Sequence, residues 1–284
     1  MIIYSSVNID SASLLRYEAL FSKCFPKSGK FAIHVLHWLY ADNPDGPVIG
    51  FDAFDGDILA AHYVCIPGIV RLHGKPEKVL LSLNTATHPT YQGKGLFTKL
   101  AEMTYQAAAD RGFAGAYGVA NANSTPGFIR KLGFQLVQPL DAKLGVGRLG
   151  VDMPVASAHA QFERVWSREA LEWRLRNPAN PIQPFLLNDG TGFTANAMGR
   201  GLTAYAELAT LPDYSAGKRP AQSPLHLFLG LVPQPAKRFA GYVDIPLRLR
   251  PSPLNMIFRS FKSQTMDRLD TGLIHFSFLD FDAY

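Results

Sequence analysis

The chain is poor in cysteine and has no concentrated charge. Cys24 and Cys65 are the only cysteines in 284 residues. A disulfide between them is possible. However, the first twenty residues, MIIYSSVNIDSASLLRYEAL, show neither the basic start nor the long apolar stretch of an export signal. The expectation is therefore reduced thiols and a cytoplasmic location. Cys65 stands in an apolar run and reads as a small core residue. No apolar run reaches the roughly 18–20 residues that span a bilayer, so no membrane partner is expected. No His/Cys cluster has the spacing of zinc ligands, and no metal site is expected. Lysine and arginine are scattered, without a basic stripe interleaved with aromatics, which argues against a nucleic-acid partner. The net charge of +5 is a weak excess that favours small anionic ligands such as nucleotides. With 47% hydrophobic residues, the chain can build one large domain or two ordinary ones.

Local patterns alternate helix and strand. Leu14, Leu15, Tyr17, Ala19, Leu20 and Phe21 recur at helical spacing between Ser11 and Phe25, with Ser11 or Ser13 as cap and Pro26 as stop. Phe31 to Tyr40 repeats the pattern and ends at ADNPDGP. PVIGFDAF and ILAAHYVCIPGIV form a hairpin closed at Asp55-Gly56, and LHGKPEK is a turn. VLLSLNTAT is apolar enough to be a strand buried on both faces. A helix, LFTKLAEMTYQAAADRG, ends at Gly112; the strand FAGAYGVA and a loop with a short helix, NANSTPGFIRKLGF, follow.

Residues 152–162 read as a connection, and SREALEWRLRN as a helix capped by Ser167, with Glu172 and Arg176 four apart on its exposed face. PFLLN, GFTANAMG, LTAYAELATL, LHLFLGLV, YVDIPLRL, NMIFRSF and LIHFSFLDF read as strands, Gly199-Arg200-Gly201 as a hairpin turn, and Pro212 to Pro224 as a loop. HWLYADNP (His37–Pro44) and EWRLRNP (Glu172–Pro178) each end a helix and lead into strands. This echo suggests a duplicated architecture; the alternative is coincidence, since Asn-Pro is an ordinary helix stop. The fold class is α/β with mixed sheets.

The chemistry concentrates in THPTYQGKGLFTKLAE. Gly93 and Gly95 allow positive φ and close backbone approach, and a helix opens near Leu96. Its first N–H groups and the positive end of its dipole make an anion site. The spacing is not that of a dinucleotide fingerprint, because position 98 is Thr. It is not a Walker loop, because Lys94 lies between the glycines.

Gln92-Gly93-Lys94-Gly95-Leu96-Phe97, preceded by Pro89-Thr90-Tyr91, resembles the Gln/Arg-x-x-Gly-x-Gly/Ala turn of the GNAT superfamily of N-acetyltransferases. Phe97 stands where Gly or Ala is usual, so its bulk must point away from any ligand. Asn121, Asn123 and Ser124, followed by Lys131-Leu132-Gly133-Phe134, are similar to the family's second motif, one helix and one strand downstream. The resemblance covers about Ser11 to Val137.

It implies an acyl-CoA-dependent acyltransferase acting on a primary amine, perhaps an amino-sugar nucleotide, with acetyl-CoA or another acyl-CoA as co-substrate. The pyrophosphate would meet the backbone of Gln92, Gly93, Lys94, Gly95, Leu96, Phe97 and Thr98. The pantetheine arm would lie along Thr85, Ala86 and Thr87, with Asn121 or Asn123 on the CoA side. The tyrosine that often protonates the leaving thiolate in the family is missing: Phe128 or Ile129 stands there. The central strand offers no carboxylate, which leaves Asn84 and His62 as the cleft candidates. Residues 1–150 are expected to form the acyl-CoA-binding domain and residues 151–284 a degenerate GNAT-like half without the glycine turn. The assembly would be a monomer or homodimer. The alternative is a CoA-binding sensor or partner-binding module without turnover.

Overall fold

Two mixed sheets, each covered by its own short helices, account for the chain. The computed structural model describes all residues except 27, 29, 198–200, 210, 212, 213, 215, 218–222, 251, 263–267, 283 and 284. The expected loop between Pro212 and Pro224 and the Gly199-Arg200 turn therefore lie largely outside the described residues.

Strand β1 (Ile2–Ser6) leads to helices α1 (Ser11–Cys24) and α2 (Ile33–Ala41). The cap of α1 is Asp10, not a serine, because its carboxylate accepts the Ser13 amide at 2.7 Å. The hairpin is β2 (Ile49–Asp55) and β3 (Ile58–Leu72), turned at Gly56 with φ +57. β4 (Lys75–Thr87) begins within the stretch read as a turn, since His73-Gly74 alone reverses the chain. Then come α3 (Leu96–Asp110), β5 (Gly115–Ala120), α4 (Thr125–Leu132), β6 (Gln135–Pro139) and β7 (Asp141–Val146).

The connection after residue 150 contains α5 (Met153–His159) and β8 (Phe162–Arg164). α6 (Arg168–Leu175) is capped by Ser167 as expected. Its Glu172 pairs with Arg168 at 2.8 Å and not with Arg176, which lies past the last helical residue. β9 (Gln183–Leu187), β10 (Gly190–Asn196), β11 (Thr203–Ala209), β12 (Leu225–Gly230), β13 (Tyr242–Asp244) and β14 (Asn255–Ser260) complete the list. LIHFSFLDF is not a strand: only isolated bridges at Ile274 and Phe276 and a 3-10 turn at Phe278–Asp280 form there.

The first sheet runs β1-β2-β3-β4-β5-β14-β6, with β8 beside the far end of β3; the second runs β13-β7-β12-β11-β10-β9. Each contains an antiparallel run, β1-β2-β3-β4 in the first and β9-β10-β11 in the second, whose last strand pairs in parallel with the next, followed by an antiparallel neighbour. In the first, β4 runs parallel to β5, and β14 flanks β5. In the second, β11 runs parallel to β12, and β7 flanks β12. The flanking strands are exchanged: β14 comes from the end of the chain, and β7 from before residue 150. The sheets thus do not divide where the sequence does.

Helices α1 and α2 cover one face of the first sheet through Leu14, Tyr17, Leu36 and Trp38, and α3 and α4 the other through Leu100, Tyr105 and Phe128. Tyr117, Phe162, Phe258 and Phe276 join the α1–α2 layer to the second half. Burying such large side chains on both faces is what fixes the strands in register.

Candidate functional site

Two irregularities of β4 open a gap in the first sheet. Tyr63 lies opposite Thr85, yet Cys65 lies opposite Ser82, so Leu83 and Asn84 together face Val64 alone and β4 bulges there by one residue. The parallel pairing of β4 with β5 covers only Val79–Leu81 against Gly115–Tyr117. Beyond it Ser82–Thr87 and the end of β5 are not paired with each other. This corrects the expectation of a strand buried on both faces: Val79, Leu80 and Leu81 are buried, whereas Ser82 to Thr85 are only half-buried, because their neighbour departs.

The glycine turn sits at the open end of this gap. His88 holds the 3-10 turn Pro89–Tyr91, its Nδ1 2.9 Å from the Thr90 hydroxyl. Gly93 and Gly95 both adopt left-handed φ, +79 and +74, and Gly95 is the N-terminal cap of α3. A β carbon at either would meet nothing within 4 Å. The Gln92 amide donates to Pro89 O at 3.4 Å. The amides of Gly93, Lys94, Gly95, Leu96, Phe97 and Thr98 have no partner among the described residues. Open space, unpaired donors and the helix dipole fit a diphosphate. Phe97 turns inward, edge-on to Tyr63 at 5.8 Å and Phe128 at 5.4 Å, so it leaves the turn clear. The Lys94 ammonium rests over the Tyr91 ring at 4.5 Å.

Asn121 shapes the turn after β5: its Oδ1 accepts the amides of Asn123 and Ser124, both at 3.0 Å. Asn123 is exposed. Thr85, Ala86, Thr87, the glycine turn and the Asn121–Asn123 turn all lie at the carboxyl ends of the parallel strands or the start of the following helix.

The two cleft candidates belong to one hydrogen-bonded chain. Asn84 Nδ2 donates to the Tyr40 hydroxyl at 3.1 Å; Tyr40 lies 2.9 Å from His62 Nε2; and His62 Nδ1 lies 2.6 Å from Asp52 Oδ1. Asn84 is half-buried at the bulge, while His62 is fully buried with both ring nitrogens engaged. It reaches the gap only through Tyr40 and Asn84. The sequence pattern did not single out Tyr40 or Asp52. The only available signal was a His facing an Asp across a predicted hairpin, and Asp52 and His62 are indeed register partners.

On the α3 side, the Tyr63 hydroxyl meets Ser82 Oγ at 2.7 Å and the Tyr105 hydroxyl at 2.5 Å. Burial raises the hydroxyls of Tyr40, Tyr63 and Tyr105 well above the ordinary tyrosine value, so they serve as neutral donors. Burial likewise pushes the Cys65 thiol up to about 12, and both cysteines are free thiols. Phe128 is buried against Phe97 and Phe134.

The second sheet has its own parallel pair, short and diverging after Thr203–Ala204 against His226–Leu227. The segment around Phe276–Phe281 lies against it. Phe276 and Leu231 exchange backbone hydrogen bonds at 2.7 and 2.9 Å, and Phe278 and Leu279 pack on Ala204, Ala206 and Leu208.

A mixed sheet with a splayed parallel pair carries a phosphate-ready turn at its mouth. Residues 9–137 match the sequence model of the acetyltransferase (GNAT) domain, and the chain contains such a domain. No curated protein matches the chain. Three solved structures share the fold over most of its length. A conserved protein of unknown function from Enterococcus faecalis V583, described as a probable N-acyltransferase, is 12% identical, with TM-score 0.60 over 92% of this chain and 73% of that one. A GCN5-related N-acetyltransferase from Anabaena variabilis is 10% identical, with TM-score 0.58 over 90% and 72%. Eis1 from Mycobacterium abscessus is 12% identical, with TM-score 0.54 over 92% and 73%. At these identities the likeness is one of fold. No helix among the described residues is long and apolar enough to cross a membrane.

Proposed function

We propose that this chain is an acyl-CoA-dependent N-acyltransferase that moves an acetyl or other short acyl group from CoA to a primary amine. The observation that carries this reading is the run of unpartnered amides from Gly93 to Thr98 at the mouth of the gap between β4 and β5. The diphosphate of CoA would take those amides, and the pantetheine arm would run along Thr85, Ala86 and Thr87. Asn121 Nδ2 and Asn123 would face the CoA side. In the transfer, the amine nitrogen bonds to the thioester carbonyl carbon, the carbon–sulfur bond breaks, and the sulfur leaves with the bonding pair. One amine proton must depart, and the thiolate takes a proton from solvent or a neighbouring hydroxyl. With Phe128 or Ile129 in place of a tyrosine, Ser82, backed by Tyr63 and Tyr105, offers a hydroxyl where β4 leaves β5.

Residues 1–150 would supply the acyl-CoA side. Residues 151–284, with β7 exchanged into their sheet, would form a second GNAT-like half; its diverging pair is covered by the Phe276–Phe281 segment, which supports a role in shaping the acceptor site and not in holding CoA. The acceptor we place first is a bulky anionic amine, a nucleotide-linked amino sugar, on the strength of the +5 charge.

The missing tyrosine favours a second reading, a CoA-binding sensor without turnover. Steady-state release of free CoA from acetyl-CoA over a panel of amino-sugar nucleotides, amino acids and aminoglycosides separates the two. Amine-dependent release is expected; tight acetyl-CoA binding with no release from any amine would favour the sensor.

A further inference from the structure

The chain of polar groups behind Asn84 has a direction. An ionised Asp52 can only accept hydrogen bonds. It takes the Tyr17 hydroxyl at 2.7 Å on one oxygen and His62 Nδ1 at 2.6 Å on the other. In a neutral imidazole this places the proton on Nδ1 and leaves Nε2 as an acceptor. With that tautomer the Tyr40 hydroxyl donates to Nε2, and its oxygen accepts Asn84 Nδ2. Every link points from the bulge to the buried carboxylate. Once Nδ2 is committed to Tyr40, the free end of the Asn84 carboxamide is its oxygen.

Packing alone does not call for such a chain. Tyr17, Tyr40, Asp52 and His62 are all buried, between α1, α2 and a sheet face that is otherwise built from residues such as Leu59, Val64 and Ile66. Apolar side chains fill such a layer at least as well, and a buried polar network stabilises little unless every group is satisfied. Here the network ends at Asn84, one of the two residues that the β4 bulge turns out of regular pairing.

We propose that Asp52, His62 and Tyr40 are positioning residues. They hold the Asn84 carboxamide with its oxygen toward the gap, where it accepts an N–H of the incoming amine and aims the nitrogen lone pair. The proposal rests on the acyltransferase reading above. It makes the polarity of Asn84 a consequence of one charge at Asp52. In Asp52→Asn the new amide can donate to His62 Nδ1, and the imidazole proton moves to Nε2. Nε2–H then donates to Tyr40, which in turn donates to the Asn84 oxygen. The Asn84 NH2 group then faces the gap.

The test combines nitrogen-15 NMR of the histidine side chains with steady-state kinetics and CoA titration. His62 is expected as the Nδ1–H tautomer in the wild-type protein and in Tyr40→Phe, and as the Nε2–H tautomer in Asp52→Asn. Both variants should lose roughly ten- to a hundredfold in kcat, with the KM for acyl-CoA and the affinity for CoA unchanged. Wild-type His62 protonated on Nε2 would overturn the proposal, as would unaltered kcat in Tyr40→Phe, which also serves if Asp52→Asn fails to fold. A wild-type protein that binds no CoA would remove the underlying reading and the proposal with it. That case is distinguishable, because the tautomer would still be Nδ1–H.

Discussion

Trp38 and Trp173 donate to each other's backbone carbonyls. The Trp38 indole N–H reaches Trp173 O at 3.2 Å, and the Trp173 indole N–H reaches Trp38 O at 3.1 Å, with the rings stacked 4.8 Å apart. One lies in α2 and the other in α6, each just ahead of an Asn-Pro helix stop. The two stops are themselves alike: Asn43 Oδ1 accepts the Asp45 amide, and Asn177 Oδ1 accepts the Ala179 amide. The echo in the sequence is therefore a two-fold-like contact where the halves meet. Replacing either tryptophan with phenylalanine removes an indole donor from a buried carbonyl, although Trp173 O keeps the Arg176 amide at 3.1 Å. The expected loss is about 1–3 kcal/mol for each single variant, with clear coupling in the double variant, measured by urea unfolding. Strictly additive losses would mean that the pair does not act as a unit.

Gly68 should be intolerant of a side chain for a reason outside its own backbone. A β carbon there would collide with Arg164 Nη1. That guanidinium lies over β3, with Asp45 Oδ2 at 2.6 Å and the Trp166 ring at 4.7 Å. The tip can swing aside only by abandoning a buried carboxylate. Gly68→Ala is expected to cost about 3 kcal/mol, the scale for breaking a buried ion pair, read from the urea midpoint.

Acid should weaken the fold partly through His275. Burial holds this imidazole below its ordinary value of 6.5, assisted by Arg71 and opposed by Asp280. Its Nδ1 donates to Glu163 Oε1 at 2.7 Å, as a neutral ring can. Above that ordinary value the group is neutral in both states, and its contribution is whole. As pH falls through 6.5, the unfolded chain binds a proton that the folded chain refuses, so stability declines until the folded value is reached. The urea midpoint of the wild-type protein should fall between about pH 7 and about pH 5.5, and His275→Gln should show a shallower fall. Equal slopes would assign the acid sensitivity to other groups.

How far these features could be read in advance depended on range. The α1 helix, the Asp55-Gly56 hairpin and the glycine turn rest on neighbours in sequence, and all three form as expected. The inward turn of Phe97 also followed, because only its amide was needed outside. The strands β7 and β14 were different. NMIFRSF was legible as a strand but not as the neighbour of β5, and β7 was missed, because each pairs with strands far away in the chain. LIHFSFLDF has strand composition, yet Arg174 takes the carbonyls of Phe278, Leu279 and Phe281, and Ser277 with Asp280 closes a capped 3-10 turn. Tyr40 was read as the end of a helix. Its place over His62 appears only once α2 is laid on β3.

The central claim is that the amides from Gly93 to Thr98 hold the diphosphate of CoA. Calorimetric titration of acetyl-CoA into the wild-type protein and Gly95→Val tests it most directly, with circular dichroism on both. A left-handed valine costs about 1–2 kcal/mol of backbone strain, which most folds of this size withstand. The prediction is saturable binding to the wild-type protein and affinity at least roughly tenfold weaker in a folded Gly95→Val. Equal affinity in the two proteins, or no binding to either, would contradict it.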